Sequence, residues 1–408
     1  MQKTQRKLQS LDKYIAFGFD MDHCLVRYNV KELFPMIYKS IARILVERKN
    51  YPEEMLEFGK REKCFIMNGL VIDIATGYIF KIGQNNIILR AYYGYDQVPQ
   101  EELEKKFGCP PKYSKFNPYK TRTVEYKCCL TYFDCCLSAI LAHMIHYKKK
   151  LHQENELNIA EIVDDAEHAE NANYNDNDNF PDRLPEKYPS IFDFGYFWKT
   201  IVPNFDSVAF KQEKNREILK SLKAKGKILF LASNSVDEYV RLVMAHCFGK
   251  DWMALFDFII GDAGKPRFFT QNSPFLEVDT DAPNRIGKAV TELRQNGVYV
   301  RGNAKSLEEN ILRLNGNKPG RILFFGDNYS TDALAAETID HWDSVCIMEE
   351  LGDVDFGDGY DGSYWGHWQY EDTARGRIPT FWYDYMSKNV AMCTSLVNSM
   401  EMAAFYES

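Results

Sequence analysis

Long apolar runs are missing from this chain. No stretch of about 18 consecutive apolar residues occurs, and mean hydropathy is -0.41, which excludes a membrane-spanning helix. A surplus of positive charge is missing too, since 50 Lys+Arg stand against 58 Asp+Glu for a net charge of -8. Ten of the acidic residues, with no Lys or Arg among them, fall between Glu154 and Asp182, so the rest of the chain is close to neutral at +2. That balance offers no basic face to nucleic acid. Cysteine is sparse, at ten in 408 residues, with neither CxxC spacing nor a regular framework. The N-terminal MQKTQRKLQSLDKY has positive charge but no apolar region behind it, which argues against a secretory signal. A reducing, cytoplasmic location is expected, with no membrane and no nucleic acid as partner.

Two apparent motifs fall away. GDGYDG (357–362) matches GxGxxG but follows no clean strand, and Asp355, Asp358 and Asp361 would repel a pyrophosphate. Cys128-Cys129 and Cys135-Cys136, with His143 and His146, suggest zinc only on paper. Adjacent cysteines point in divergent directions, so apolar packing is expected instead.

What is present is an alternation of apolar runs and helical patterns, which predicts an α/β fold with a mostly parallel sheet. The strand candidates are YIAFGFD (14–20), KILFLAS (227–233), FDFII (256–260), RILFF (321–325) and SVCIM (344–348). Helices are predicted over 237–249, with Asn234 and Ser235 as capping candidates, and over 306–316 behind a Ser-x-x-Glu capping box. A long block intervenes between the first two strands. It holds a helix-like 32–49, a hairpin-like GLVIDIATGYIFKI (69–82), a helical stretch near 133–149 and the acidic segment 154–182, read as a flexible insertion. The expected organisation is a core of 1–33 and 200–408 and a smaller inserted domain of 34–199, part of whose 60–95 could pack on the core. The aromatic-rich SYWGHWQY (363–370) and TFWYDYM (380–386) are expected to pack the C-terminal tail on the core.

Polar residues of related chemistry close several strands. Asp20-Met21-Asp22 follows the first, Ser233-Asn234 the second, Gly261-Asp262-Ala263-Gly264-Lys265-Pro266 the third, and Asp327, with Asp332 five residues on, the fourth. Ligands of open α/β sheets bind beyond the carboxyl ends of the strands, so these residues are predicted to converge on one rim. Crowded carboxylates repel one another, and an all-oxygen donor set selects Mg2+ rather than zinc. A carboxylate nucleophile, a metal, a hydroxyl donor and a lysine together describe phosphoryl transfer through an aspartyl-phosphate.

These segments resemble the four motifs of the haloacid dehalogenase-like (HAD) phosphatases: FDMDHCL (19–25), Ser233-Asn234, Lys265-Pro266, and Gly326-Asp327 with Asp332. GFDMDHCLVRYN, NGLVIDIATGYIFKI, DAGKPRFF and FFGDNYSTD are similar, more narrowly, to the cytosolic purine 5'-nucleotidase group, and the likeness runs over nearly the whole chain. The resemblance implies a HAD-type Rossmann-like core with a cap inserted between the first two motifs. It implies Asp20 as nucleophile and Mg2+ ligand. Asp22 would be the general acid and then the base, with its main-chain carbonyl on the metal. Ser233 would bond the phosphoryl group, where the purine enzyme usually has Thr. Lys265 would neutralise developing charge, Asp327 would complete the metal shell, and Asp332 would be a ligand or its support. Substrate contacts are implied for Asn234, for Phe133-Asp134 in the cap (Asp standing for Asn) and for Lys211, the one residue matched in its cluster. The expected activity is Mg2+-dependent hydrolysis of a small phosphate ester, most narrowly a nucleoside 5'-monophosphate. Another small ester, or a non-catalytic scaffold of the same fold, are the alternatives. The group's habit of forming homo-oligomers is a further expectation.

Overall fold

The computed structural model describes residue 8 and residues 10–174, 190–193, 195–279, 286–352, 354–373 and 376–396. The chain divides into two compact units. The first comprises Met1–Asn29, Ala209–Asp353 and Met386–Ser408, and the second Val30–Val208 and Val354–Tyr385.

Among the described residues the first unit holds a nine-stranded sheet. Its strands are β1 (Tyr14–Phe19), β2 (Ile228–Ala232), β3 (Phe258–Gly261), β4 (Phe275–Val278), β5 (Ile286–Val290), β6 (Gly297–Arg301), β7 (Arg321–Gly326), β8 (Trp342–Ile347) and β9 (Met392–Thr394). The spatial order is β5-β4-β6-β3-β2-β1-β7-β8-β9. From β6 to β9 every neighbour is parallel, and β4 alone runs antiparallel to both β5 and β6. The expected mixed α/β fold with a mostly parallel sheet is thus the observed one. The five central apolar runs form strands because both faces of such a sheet are covered, so β-branched and aromatic residues gain burial on either side. On one face Ala16, Phe230, Phe258, Ile260, Phe324 and Trp342 pack with Leu307 and Ile311 of the helix Ala304–Leu314. Gly18 is required here, because a Cβ would stand 2.1 Å from the ring of Phe230.

Two helix starts differ from the sequence expectation. Asn303, not Ser306, caps Ala304–Leu314, accepting from the Ser306 amide at 2.8 Å. The helix Asp237–Phe248 begins after Val236 with no side-chain cap, because Asn234 and Ser235 turn to other partners.

The second unit is built on a five-stranded antiparallel sheet, in the order Asp96–Gln97, Ile88–Tyr93, Ile79–Ile82, Leu70–Asp73, Tyr126–Cys129. The predicted hairpin is present, with Asp73 accepting from the Thr76 amide at 3.1 Å and Gly77 at φ +73°. The helices Val30–Lys49, Cys136–Lys150 and Ile159–Tyr174 complete the unit.

The last of these corrects the reading of 154–182 as flexible. Ile162, Val163, Ala166, Ala169 and Ala172 recur at helical spacing and are buried, a stripe of small side chains hidden in an acidic composition. Residues 175–182 lie outside the described residues. The aromatic segment 363–370 is packed, but within the second unit. Trp365 lies 5.6 Å from the ring of Phe65 and 4.7 Å from that of Tyr92. The Lys81 ammonium donates to the carbonyls of Trp365 (2.7 Å), His367 (2.8 Å) and Tyr370 (3.1 Å) and to Glu371 (2.6 Å). Residues 60–95 and 354–385, which the sequence placed partly or wholly with the core, both belong to this unit. The cysteines of the two adjacent pairs are buried and form no disulfide, and the Cys135 thiol donates to Asn68 Oδ1 at 2.9 Å.

Candidate active site

Strand register sets the site. Phe19 of β1 lies opposite Phe325 of β7 and Leu231 of β2, so the three strands end level with one another. Asp20, Ser233 and Asp327 each follow the end of one of them, and Lys265 follows β3 on the same side. The chain leaves β1 toward β2 in one direction and reaches β7 in the other, which makes the carboxyl edge of β1 the switch point of the sheet.

Around that point one oxygen from each of Asp20, Asp327 and Asp332 falls within 4.8 Å of the others. The Lys265 ammonium stands 2.9 Å from Asp20 and 2.7 Å from Asp332. Burial works against its charge, but these two carboxylates outweigh burial and hold it above the ordinary lysine range. The carboxyls are raised as well, which for them favours the neutral form. Burial, then the charges of Asp20 and Asp332, push Asp327 well above the usual carboxyl value, and burial, partly offset by Lys265, pushes Asp332 up to about 7. Asp332 rides on a wide turn, Tyr329–Leu334, whose start is fixed by the Asn328 side chain accepting from the Ser330 and Thr331 amides. Gly326 makes room for it, since a Cβ there would stand 2.3 Å from the Asp332 Cβ. Three carboxylates against one lysine leave a net negative, all-oxygen cradle, and a hard divalent cation fits that donor set.

Asp22 stands apart from that group. Tyr28 donates to its Oδ1 at 2.5 Å and Ser235 to its Oδ2 at 2.7 Å. Burial first, then the Asp20 charge, raise its pKa, and the two hydroxyls pull it only partway back. A carboxyl so placed holds a proton more readily than a carboxyl in water does, as an acid catalyst requires. Its expected share in metal binding is through the main-chain carbonyl, which leaves the side chain for this role.

Ser233 is buried, and its Oγ accepts from the Ser235 amide at 3.1 Å. The Asn234 side chain is spent on Lys265: its Oδ1 accepts from the Lys265 amide at 2.7 Å and its Nδ2 donates to the Lys265 carbonyl at 3.0 Å. That pair fixes the loop from which the lysine reaches the carboxylates. Lys211 belongs to the first unit but is exposed, donating to the His246 carbonyl at 2.7 Å. Phe133 and Asp134 belong to the second unit. There the Phe133 ring meets Tyr174 edge-on at 5.8 Å, and Asp134 accepts from the Thr131 amide at 2.9 Å and lies 3.4 Å from the Lys127 ammonium.

Sequence reasoning missed Tyr28, Ser235 as a partner of Asp22, and Glu349. The last lies 3.1 Å from His23 Nδ1 and 3.3 Å from Arg27, all three close in sequence or space to Asp22. Only the hydroxyl after Asn234 left a usable signal, and it was read as a helix cap.

Comparison with known proteins places the chain in a family. The profile of the 5' nucleotidase family matches residues 4–353. Human 5'-nucleotidase domain-containing protein 1 is 30% identical over 341 residues, which is 82% of this chain and 71% of that protein. Human 5'-nucleotidase domain-containing protein 2 is 28% identical over 349 residues, 84% of this chain and 62% of the relative. Among solved structures, a putative phosphatase from Clostridium difficile covers 95% of this chain and is itself covered over 97%, at 13% identity and a TM-score of 0.34, too low a similarity to argue from.

Proposed function

Because the chain belongs to the 5' nucleotidase family, whose members are phosphoric monoester hydrolases, we propose that it hydrolyses nucleoside 5'-monophosphates through a phosphoryl group carried on Asp20. The observation that carries this reading is the pairing of two unlike carboxyls two positions apart in the chain. Asp20 is ion-paired with Lys265, while Asp22 is held by two hydroxyls in an environment that favours its proton. Asp20 supplies the attacking oxygen. As its bond to phosphorus forms, the bond to the ester oxygen breaks, and the Asp22 proton passes to that oxygen. Asp22, now a carboxylate, takes a proton from the water that attacks the phosphoryl-Asp20, releasing phosphate and restoring both carboxyls.

Lys265 and the Ser233 hydroxyl are the groups of this rim that can balance charge on the phosphoryl oxygens. Asp20, Asp327 and Asp332, with the Asp22 main-chain carbonyl, would hold Mg2+. That ion, when bound, supplies positive charge to the phosphoryl oxygens and screens the carboxylates from one another. The second unit is the candidate cap, and Phe133 and Asp134 within it are the candidate base contacts. The nearest alternative is another small phosphate ester handled by the same catalytic set.

The test is phosphate release from a panel of nucleoside monophosphates and other phosphate esters, with Mg2+ and with EDTA, beside Asp20→Asn. Turnover that needs Mg2+ and vanishes in the variant is expected, with a nucleoside 5'-monophosphate ranking first. Turnover confined to other esters would remove the nucleotide assignment, and no turnover in folded protein would remove the hydrolase.

A further inference from the structure

The hydroxyls on Asp22 carry an inference about the acid step. It rests on the reading of Asp22 as the proton donor. We propose that Tyr28 and Ser235 are positioning residues that lock the Asp22 carboxyl, so that its proton stays aimed at the leaving oxygen.

The two hydroxyls engage different oxygens, Tyr28 at Oδ1 (2.5 Å) and Ser235 at Oδ2 (2.7 Å). Rotation of the carboxyl about its last side-chain bond therefore breaks both contacts at once, which a single donor would not enforce. Each donor stands on fixed ground. The Tyr28 hydroxyl lies 3.1 Å from that of Tyr239, and both tyrosines are 2% exposed, so water does not replace either. Tyr28 also bridges to Ala209 through its main chain, and its ring lies 5.0 Å from that of His23. Ser235 is held from both sides of its peptide. Its amide donates to Ser233 Oγ at 3.1 Å, and its carbonyl accepts from the Asp262 amide at 2.8 Å.

Tyr28 and Ser235 come from segments more than 200 residues apart, so the arrangement is a product of the folded sheet and not of local sequence. Each carboxyl oxygen keeps a further lone-pair position, so one of them carries the acid proton while both accept. When that proton passes to the leaving oxygen as the ester bond breaks, the new carboxylate retains both hydroxyl bonds. It is then already oriented for the water that follows.

A positioning role and a merely structural one separate by leaving group. The value of kcat/KM reports only the steps up to release of the alcohol, in which Asp22 gives its proton. An alkoxide leaving group needs that proton, whereas p-nitrophenolate departs without it. Purified full-length protein is assayed with β-glycerophosphate and a nucleoside 5'-monophosphate as alkyl esters and with p-nitrophenyl phosphate, thermal melts confirming folding.

Tyr28→Phe is expected to lower kcat/KM for the alkyl esters by about 30- to 100-fold, part of the roughly 10²- to 10⁴-fold that acid–base catalysis contributes. The loss on p-nitrophenyl phosphate should be at least about tenfold smaller. Ser235→Ala, at a half-buried position where the loss of a hydroxyl is tolerated, should show the same selectivity. It decides the matter alone should Tyr28→Phe fail to fold. Equal losses on both classes of ester, or no selective loss in Ser235→Ala, would overturn the positioning role. A wild-type protein inert toward every ester would instead overturn the hydrolase reading on which this one rests.

Discussion

Removing the ammonium of Lys265 gives a quantitative check on the electrostatics of the rim. It lies 2.9 Å from Asp20 and 2.7 Å from Asp332 and is itself buried. At an effective dielectric near 20, each contact has a gross attraction of about 6 kcal/mol, most of which is offset by desolvation. Breaking such a buried pair from one side costs about 3–5 kcal/mol, because the carboxylates left behind are neither paired nor hydrated. Lys265→Met keeps an unbranched side chain one atom shorter and removes the ammonium, so most of the cost should come from the lost charge and its N–H donors.

The pH dependence has a definite sign. Asp332, at about 7, binds more protons in the folded chain than in the unfolded one, so its contribution lowers stability as pH rises from about 4 to 7. Without the lysine its pKa rises further, so the gap between variant and wild type should widen between pH 5 and pH 8. Urea unfolding with EDTA at the two pH values measures this, and added Mg2+ should narrow the gap by giving the carboxylates another cation. A loss below about 1 kcal/mol at pH 8 with EDTA, or one that shrinks as pH rises, would refute the picture of carboxylates balanced on this one ammonium. Turnover should fall about 10²- to 10³-fold in the same variant.

Two further outcomes are expected. In Gly326→Ala the new methyl meets the Asp332 Cβ at 2.3 Å, so the turn carrying Asp332 must move. Unfolding should show a loss of about 1–3 kcal/mol, and a Mg2+ titration of activity should shift to higher concentration. Glu170 of the second unit is pushed up to about 8, by burial first and then by Asp134, so it too lowers stability as pH rises, here from about 4.5 to 8. Glu170→Gln should flatten that slope and leave the variant more stable than wild type at pH 8 by about 2 kcal/mol, read from melts across the range; a slope like that of wild type would refute the assignment.

The sheet and the rim were legible because each depends on local pattern. Apolar runs mark β1, β2, β3, β7 and β8, and the polar residues after the first four of them are carried to the rim by parallel register alone. Tyr28 was not legible, since its place depends on how the chain turns after the rim. Val26 N bonds back to the Met21 carbonyl at 2.9 Å and His23 takes a left-handed conformation, which together return Tyr28 to Asp22. Asn234 and Ser235 were legible as polar residues before a helix, but capping and site-building use the same side-chain chemistry. The helix Ile159–Tyr174 was hidden because alanines supply half of its buried residues and weigh little against the acidic and amide residues that make up much of the rest of it. The membership of 354–385 was invisible for a different reason. It is decided by Lys81 and Arg90, nearly 300 positions upstream.

That last separation matters while the chain is being made. Trp365 follows Lys81 by 284 residues, so a ribosome adding about 5–20 residues per second delivers the partner carbonyls roughly 15–60 s after the lysine. Once Tyr126–Cys129 has been made, the strands of the second unit still wait for the segment that covers Lys81, and Gly69 for the indole of Trp382 against it. Vectorial synthesis therefore finishes the second unit late, long after its sheet has been made. A nascent chain halted after residue 129 and before residue 365 has the strands of this sheet but none of the groups that cover Lys81, which leaves a buried-type lysine as a handle for chaperones and for quality control.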